Sequence, residues 1–320
     1  MEYAELYGIG REKLKAAGID ECDNDARLLL EFVCDTDRAT LLSHPERSVS
    51  SEEEERFLSF IERRAARIPL QHLTGTTCFM GLDFKVNENV LIPRFDTEIL
   101  VEEALKYRND GDRILDICTG SGCILISLLK YSNGCEGLGV DISKDALEVA
   151  TQNAEAILSD KEDETSFSFI RSDLYENVSG KFDIIVSNPP YMIQGHGLVN
   201  DSDAKLIARH EISCTFEDIA RVSSHLLKAG GKLFLVHRPF RLSELFVTMT
   251  RFGIEPKRLR LVHPFIDQEP NLALIEGVKG GRSRLTVEPP LIVYEKEGVY
   301  SDEIYRIYKL PKYSAAKADD

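Results

Sequence analysis

The sequence has no tryptophan and only four methionines among its 320 residues, and its apolar runs fall well short of the roughly 18 residues that a membrane helix needs. No membrane partner is expected. The opening residues Met1-Glu2-Tyr3-Ala4-Glu5 lack the basic and apolar regions of a secretory signal, so the expected compartment is the cytoplasm. The seven cysteines, Cys22, Cys34, Cys78, Cys118, Cys123, Cys135 and Cys214, are odd in number, include no C-x-x-C pair and have no histidine at metal-ligand spacing. This argues against a disulfide framework and against a zinc centre, and leaves reduced core thiols as the expectation.

What is present is an ordinary globular composition, 43% hydrophobic and long enough for two domains. The formal charge of −15 argues against indiscriminate binding of nucleic acid, but it is unevenly placed. Residues 1–194 carry 20 Lys and Arg against 37 Asp and Glu, a balance of −17, whereas residues 195–320 carry 19 against 17, for +2. Any contact with nucleic acid would come from the second part.

Helical spacing of apolar residues from Tyr3 to about Ile68, as in Ala26, Leu29, Leu30, Val33 and again Phe57, Phe60, Ile61, predicts a small helical domain over residues 1–68. Ser51 followed by Glu54 fits a capping box, with the acidic run Glu52 to Glu55 at the favourable end of the helix dipole. Pro69 is expected to end the last helix, and residues 69–92 to form a hairpin connector around Gly81. From residue 93 to 312, short apolar runs alternate with helical patterns: Arg113 to Ile117, Gly137 to Val140, Phe167 to Ile170, Phe182 to Val186 and Lys232 to Val236, with Leu259 to Val262 and Leu272 to Glu276 as last strands. That alternation predicts an α/β domain, a parallel sheet with helices on both faces. Residues 313–320 read as a frayed polar tail.

The first strand runs through Asp116-Ile117-Cys118-Thr119-Gly120-Ser121-Gly122 straight into a helical pattern. In a doubly wound sheet such a turn faces the ligand crevice and offers backbone amides at a helix N-terminus, although a bare tight turn would read the same way. Asp141 ends the next strand, where its carboxylate can accept hydrogen bonds from two ribose hydroxyls. The third glycine of a dinucleotide fingerprint is missing, since Gly122 is followed by Cys123, Ile124 and Leu125. Together these residues predict a nucleoside pocket. Asp173, beside Leu174, is placed to reach an adenine amine, and could equally cap a turn.

The fourth strand ends in Asn188-Pro189-Pro190-Tyr191. An amide or aryl amine is a poor nucleophile because its lone pair is delocalised. The Asn188 side-chain oxygen and the Pro189 carbonyl can each accept one hydrogen of such an NH₂ group and turn its lone pair toward a sulfonium methyl, and neither Pro189 nor Pro190 offers a competing N–H. Tyr191 would cover the planar group. The expected cofactor is S-adenosylmethionine and the expected chemistry N-methylation, with positioning as the main source of rate.

These residues carry a resemblance. The stretches "PLQHLTG", "FMGLDFKV", "VLIPRFDTEILVE", "ILDICTGSGCI", "GVDISKDALEVA" and "FDIIVSNPPY", behind a helical N-terminal domain, resemble the release-factor glutamine methyltransferase family over residues 1 to about 194. The resemblance implies a Rossmann-like class I methyltransferase domain whose sheet ends in an antiparallel strand. It further implies a helical domain that docks a peptide chain release factor, with Asn188, Pro189 and Tyr191 holding the glutamine of its Gly-Gly-Gln loop. The cofactor would be held by the Asp116 to Gly122 turn, Asp141, the Asp173-Leu174 region and the edge of Asn188. Phe95 and Leu174 depart from that pattern in place of a proline and an aromatic residue. From about Gly195 onward the resemblance changes: "GHGLVNDSDAKLIARHEISCTFEDI", "LFLVHRPFRLSEL", "EPKRLRLVHPF", "NLALIEGVKGGRS" and "EPPLIVYEKEGVYSDEIYRIY" are similar to the tRNA adenine exocyclic-amine methyltransferases. The chain thus reads as two related methyltransferases joined at their shared motif, with tRNA as a second candidate partner. Lys205, Arg209, His210, Arg238, Arg241, Lys257, Arg258, Arg260, Arg282 and Arg284 form a candidate basic set for RNA, although Arg258 and Arg260 also alternate as a solvent face would. A nonenzymatic cofactor-binding or translation-factor-docking protein is the remaining alternative.

Overall fold

The computed structural model describes residues 1–174, 176–189 and 215–308. It divides into two compact units, Met1–Thr76 with Val86–Glu88, and Thr77–Lys85 with Asn89 to the carboxyl end.

The first unit is helical: α1 (Tyr3–Ala16), α2 (Cys22–Val33), α3 (Arg38–Ser43), α4 (Ser51–Ala65) and α5 (Leu70–Thr74). The apolar stripes anticipated on α2 and α4 bury Ala26, Leu29, Leu30, Val33, Phe57 and Ile61, while Phe60 stays half-buried with its ring edge-on to Phe32 at 5.8 Å. Asp25, buried on α2, accepts a 2.7 Å charged hydrogen bond from Arg64 Nε on α4. The capping box sits one residue earlier than the spacing predicts: Ser50 Oγ accepts from the Glu53 amide at 3.2 Å and Glu53 Oε2 accepts from the Ser50 amide at 2.8 Å. Both registers satisfy the S-x-x-E pattern, and burial of Val49 sets the entry of the chain. Pro69 does not close the helical run. The α4 helix has ended at Ala65, and Pro69 is the N-cap of α5, where its missing N–H is no loss.

The second unit begins with a hairpin, β1 (Thr76–Phe79) and β2 (Leu82–Lys85), whose two-residue turn Met80-Gly81 has positive φ at both positions, 55° and 73°. After α6 (Phe95–Tyr107) come β3 (Arg113–Ile117), α7 (Cys123–Lys130), β4 (Glu136–Asp141), α8 (Lys144–Ile157), β5 (Ser166–Arg171), β6 (Phe182–Ser187), α9 (Phe216–Leu226) and β7 (Leu227–His237). They are followed by α10 (Leu242–Arg251), β8 (Ile254–His263), β9 (Leu272–Lys279), the short strands β10 (Thr286–Val287), β11 (Leu291–Ile292), β12 (Tyr294–Lys296) and β13 (Val299–Tyr300), and α11 (Asp302–Ile307). The main sheet runs β10-β8-β9-β7-β6-β3-β4-β5. Neighbours from β5 to β7 pair in parallel, and β9 is antiparallel to both β7 and β8. The sheet therefore does not end in its antiparallel strand: β9 is inserted between β7 and β8.

Alternation along the strands divides the core between two faces. Ile114, Ile184, Val186, Phe234 and Val236 pack with α6 and α7 on one side, whereas Leu115, Ile117, Ile185, Leu233 and Leu235 pack with α9 and α10 on the other. Burial of both faces explains why the strands read as continuous apolar runs.

Arg260 of β8 overturns the solvent-face reading, and Arg258, with its side chain 37% exposed, is paired on the same face. Arg260 is only 8% exposed and its guanidinium reaches Glu103 of α6 at 3.4 Å and Glu303 of α11 at 2.7 Å. Arg258 Nε lies 3.0 Å from the buried Glu276 of β9 and Nη1 lies 2.6 Å from Glu288. Arg258 and Lys232 each lie 4.7 Å from the centroid of the Tyr107 ring, and Lys232 pairs with Glu276. Alternation puts both arginines on one face of β8, and that face is covered by α6 and the C-terminal segment. Of the six described cysteines only Cys123 and Cys135 are buried, and Cys78 is exposed, so the expectation of core thiols holds for two of them.

Removing one member of a buried ion pair leaves its partner charged and desolvated. Arg260→Ala is expected to destabilise the second unit by about 3 kcal/mol, with much of the loss recovered by pairing Arg260→Met with Glu103→Met. Urea unfolding of the three proteins checks this, and an Arg260→Ala midpoint equal to wild type would show that the network contributes nothing.

Candidate active site

Strand order reverses at β3, with β4 and β5 on one side and β6 and β7 on the other, so the connections leaving β3 and β6 diverge and a crevice opens at their carboxyl ends. Register places Ile117 beside both Val140 and Ser187. The candidate residues at the ends of these three strands are thereby neighbours.

The turn after β3 is tight. Cys118, Gly120 and Gly122 all have positive φ, at 63°, 54° and 80°. At Gly122 a Cβ would lie 2.7 Å from Ile126 Cδ1 and 3.2 Å from Ala150 Cβ, so this glycine lets α7 and α8 approach. At Gly120 a Cβ would meet open space, so backbone conformation rather than packing demands that glycine.

Asp141 clamps the turn. Its Oδ2 accepts from the Gly120 amide at 3.0 Å and its Oδ1 from the Ser143 amide at 2.9 Å, with the side chain almost buried at the edge. The Thr119 amide donates to the Val140 carbonyl at 3.0 Å, a second tie between the turn and β4. Beneath lies Asp116, fully buried, with Oδ2 accepting from Thr119 Oγ1 at 2.7 Å and Oδ1 without a hydrogen-bond partner. Burial pushes the Asp116 carboxyl up to about 7, against the opposing pull of the Thr119 hydroxyl and the nearby Leu125 amide, and the charge of Asp141 adds to the rise. An orphaned carboxyl oxygen beneath an open turn, with the Asp141 carboxylate at its rim, fits a ligand that carries a positive charge and hydroxyl donors.

Ser121 is buried, and its carbonyl accepts from Asn153 Nδ2 at 3.0 Å. The same amide bonds the hairpin strand, Nδ2 donating to Lys85 O at 3.1 Å and Oδ1 accepting from Lys85 N at 2.7 Å. Asp173 is exposed, while Leu174, at φ 54°, packs against the core cluster that includes Ile117 and Val140.

At the end of β6, Ser187 Oγ donates to the Ile117 carbonyl at 2.9 Å and fixes the strand exit beside β3. Asn188 follows, half-buried, with Nδ2 donating to Thr97 Oγ1 at 3.0 Å, and Pro189 is buried. Pro190 and Tyr191 lie outside the described residues. Two residues that the sequence reading left unassigned, Thr97 and Asn153, thus bond directly to the predicted site. Asn153 carried a signal, being a polar residue within the buried stripe Ala146, Leu147, Val149, Ala150 and Ala154.

Because the folded pKa of Asp116 is raised above that of the unfolded chain, the unfolded state gives up its proton first as pH rises, and the group weakens the fold progressively between about pH 4 and 7. Asp116→Asn removes this dependence. The urea midpoint of the variant should therefore gain on wild type across that window and run parallel to it above; a constant difference from pH 4 to 8 would contradict the buried-acid reading.

Two family models match the chain: the PrmC N-terminal domain over residues 5–75, and the methyltransferase small domain over residues 95–250, a span that continues across the junction at Tyr191. A release factor glutamine methyltransferase of Agrobacterium fabrum is 43% identical over 195 residues, 59% of this chain and 66% of that protein. A release factor glutamine methyltransferase of Caulobacter vibrioides is 37% identical over 251 residues, 75% of this chain and 85% of that protein. Among solved structures, a predicted O-methyltransferase from Agrobacterium tumefaciens matches with a TM-score of 0.51 at 19% identity, covering 66% of this chain and 94% of that one, a likeness of fold. The helical unit, the crevice at the β3 switch point and the extent of the Caulobacter match lead to one conclusion: the chain belongs to the release factor glutamine methyltransferase family.

Proposed function

We propose that this protein transfers a methyl group from S-adenosylmethionine to the side-chain amide nitrogen of the glutamine in the Gly-Gly-Gln loop of a peptide chain release factor. The observation that carries the reading is Asn188, held by Thr97 at 3.0 Å on the strand end next to the clamped turn. Asp116, Thr119, Gly120, Ser121, Gly122, Asp141 and the Asp173-Leu174 segment would hold the cofactor. Each Asp141 oxygen accepts one backbone amide and has a second lone pair to offer a ribose hydroxyl.

The cofactor supplies an electrophilic methyl on a sulfonium. Asn188 Oδ1 and the Pro189 carbonyl accept the two hydrogens of the substrate amide, which directs the nitrogen lone pair at that methyl. Methyl transfer from the sulfonium would leave S-adenosylhomocysteine as product, and one proton of the substrate amide would pass to water. No general base is required before transfer, so orientation supplies most of the rate. Pro190 and Tyr191 keep their expected roles beside the substrate as part of this proposal.

Transfer to tRNA is the lesser reading. Arg258 and Arg260 are engaged with carboxylates of the same domain, which takes these two members out of the proposed basic track. Lys205, Arg209 and His210 lie outside the described residues.

With tritiated cofactor offered to purified release factor and to unmodified tRNA, label should enter the release factor, and Asn188→Ala should lower its turnover by roughly a hundredfold or more while cofactor affinity stays within a few-fold. Label entering tRNA alone, or loss of cofactor binding in step with turnover, would overturn the assignment.

A further inference from the structure

The acceptor motif supplies Asn188, but an asparagine amide can enter the crevice in two orientations related by a half-turn about its terminal bond. In one its oxygen faces the incoming NH₂ group; in the other its own NH₂ does, setting donor against donor. Whatever fixes that choice controls the reaction without touching the substrate. In this structure Asn188 Nδ2 donates to Thr97 Oγ1 at 3.0 Å, across 91 residues of sequence. Thr97 is 3% exposed, in the first turn of α6, with its own amide donating to the Arg94 carbonyl at 2.9 Å. Its place is fixed by the helix rather than by a flexible loop. The next residue, Glu98, is 2% exposed and accepts from the Met80 amide at 2.7 Å, which ties the same turn of α6 to the hairpin tip.

We propose that Thr97 is a positioning residue for methyl transfer: its hydroxyl oxygen holds the Asn188 NH₂ and thereby presents Asn188 Oδ1 to the substrate amide. In this contact the Thr97 hydroxyl oxygen is the acceptor and the Asn188 NH₂ the donor. That polarity selects the productive orientation of Asn188. The inference rests, for its chemistry, on the amide-methyltransferase reading above; the hydrogen bond itself does not.

Three variants of the full-length protein test it: Thr97→Val, which keeps the shape and removes the acceptor, Thr97→Ser, which restores it, and Thr97→Val combined with Asn188→Ala. With tritiated S-adenosylmethionine and purified release factor, Thr97→Val should lower kcat by about ten- to a hundredfold with KM and S-adenosylhomocysteine affinity within about threefold of wild type, and Thr97→Ser should recover most of the loss. On the Asn188→Ala background, Thr97→Val should have less than about a twofold further effect, because the group it positions is gone. In the same proteins labelled with ¹⁵N-asparagine, the side-chain NH₂ pair assigned to Asn188 by its disappearance in Asn188→Ala should move in Thr97→Val and return in Thr97→Ser. Full activity of Thr97→Val, failure of Thr97→Ser to rescue, an additive double variant, or an unmoved NH₂ pair would each overturn the proposal. A wild-type chain that methylates no release factor sinks the amide reading and the rate claim with it, an outcome distinct from an active wild type with an indifferent Thr97→Val.

Discussion

One carboxylate, at the end of the second parallel strand, holds the arrangement that everything else uses. Asp141 accepts the Gly120 amide on one oxygen and the Ser143 amide on the other, and so ties the turn after β3 to the start of α8. A turn with three positive φ values in five residues, Cys118 among them, is not a conformation that a chain holds unaided. The clamp and the Thr119–Asp116 bond beneath it give that backbone its partners, and Asn153 extends the same network to the β2 strand of the hairpin. The strand-to-helix turn is thereby fixed before any ligand arrives, so little ordering remains to be done on binding.

The two sequence segments with different resemblances are tied together by strand pairing and by a partly buried ion-pair network. Strand β6, from the first, is paired with β7, from the second, with Ser187 opposite Leu235. Behind the sheet, Glu103 of the first segment meets Arg260 of the second inside a buried network that also engages Glu303. Arg260, one of the ten members of the candidate basic set, is thus an ion-pair partner between the two segments. The charge asymmetry between the halves is real at the level of composition, yet Arg260 spends its charge on a buried pair with Glu103.

Much of the domain could be read from the sequence because its signals are local. Strand-helix alternation, the apolar stripes of α2 and α4, and the Asp116 to Gly122 turn followed by Asp141 all depend on near neighbours along the chain. What escaped depends on partners far away. The insertion of β9 between β7 and β8 is a matter of pairing, which periodicity does not encode. Arg258 and Arg260 alternate whether their face meets water or α6. The capping box at Ser50 could not be told from one at Ser51, because the acidic run satisfies both spacings. At the site, Asn188 announced itself through its prolines, whereas Thr97 is an ordinary helix residue whose meaning comes from a contact 91 residues away.

If the Asp141 clamp is what prepares the crevice for a nucleoside, its loss should appear in cofactor affinity ahead of any effect on substrate. The direct measurement is a calorimetric titration of S-adenosylhomocysteine into the wild-type protein and Asp141→Ala. Binding should be weaker by about 1.5–3 kcal/mol in the variant, the scale of a charge-assisted hydrogen bond, with the folded state retained. An unchanged affinity would place the nucleoside elsewhere and contradict the account at its base.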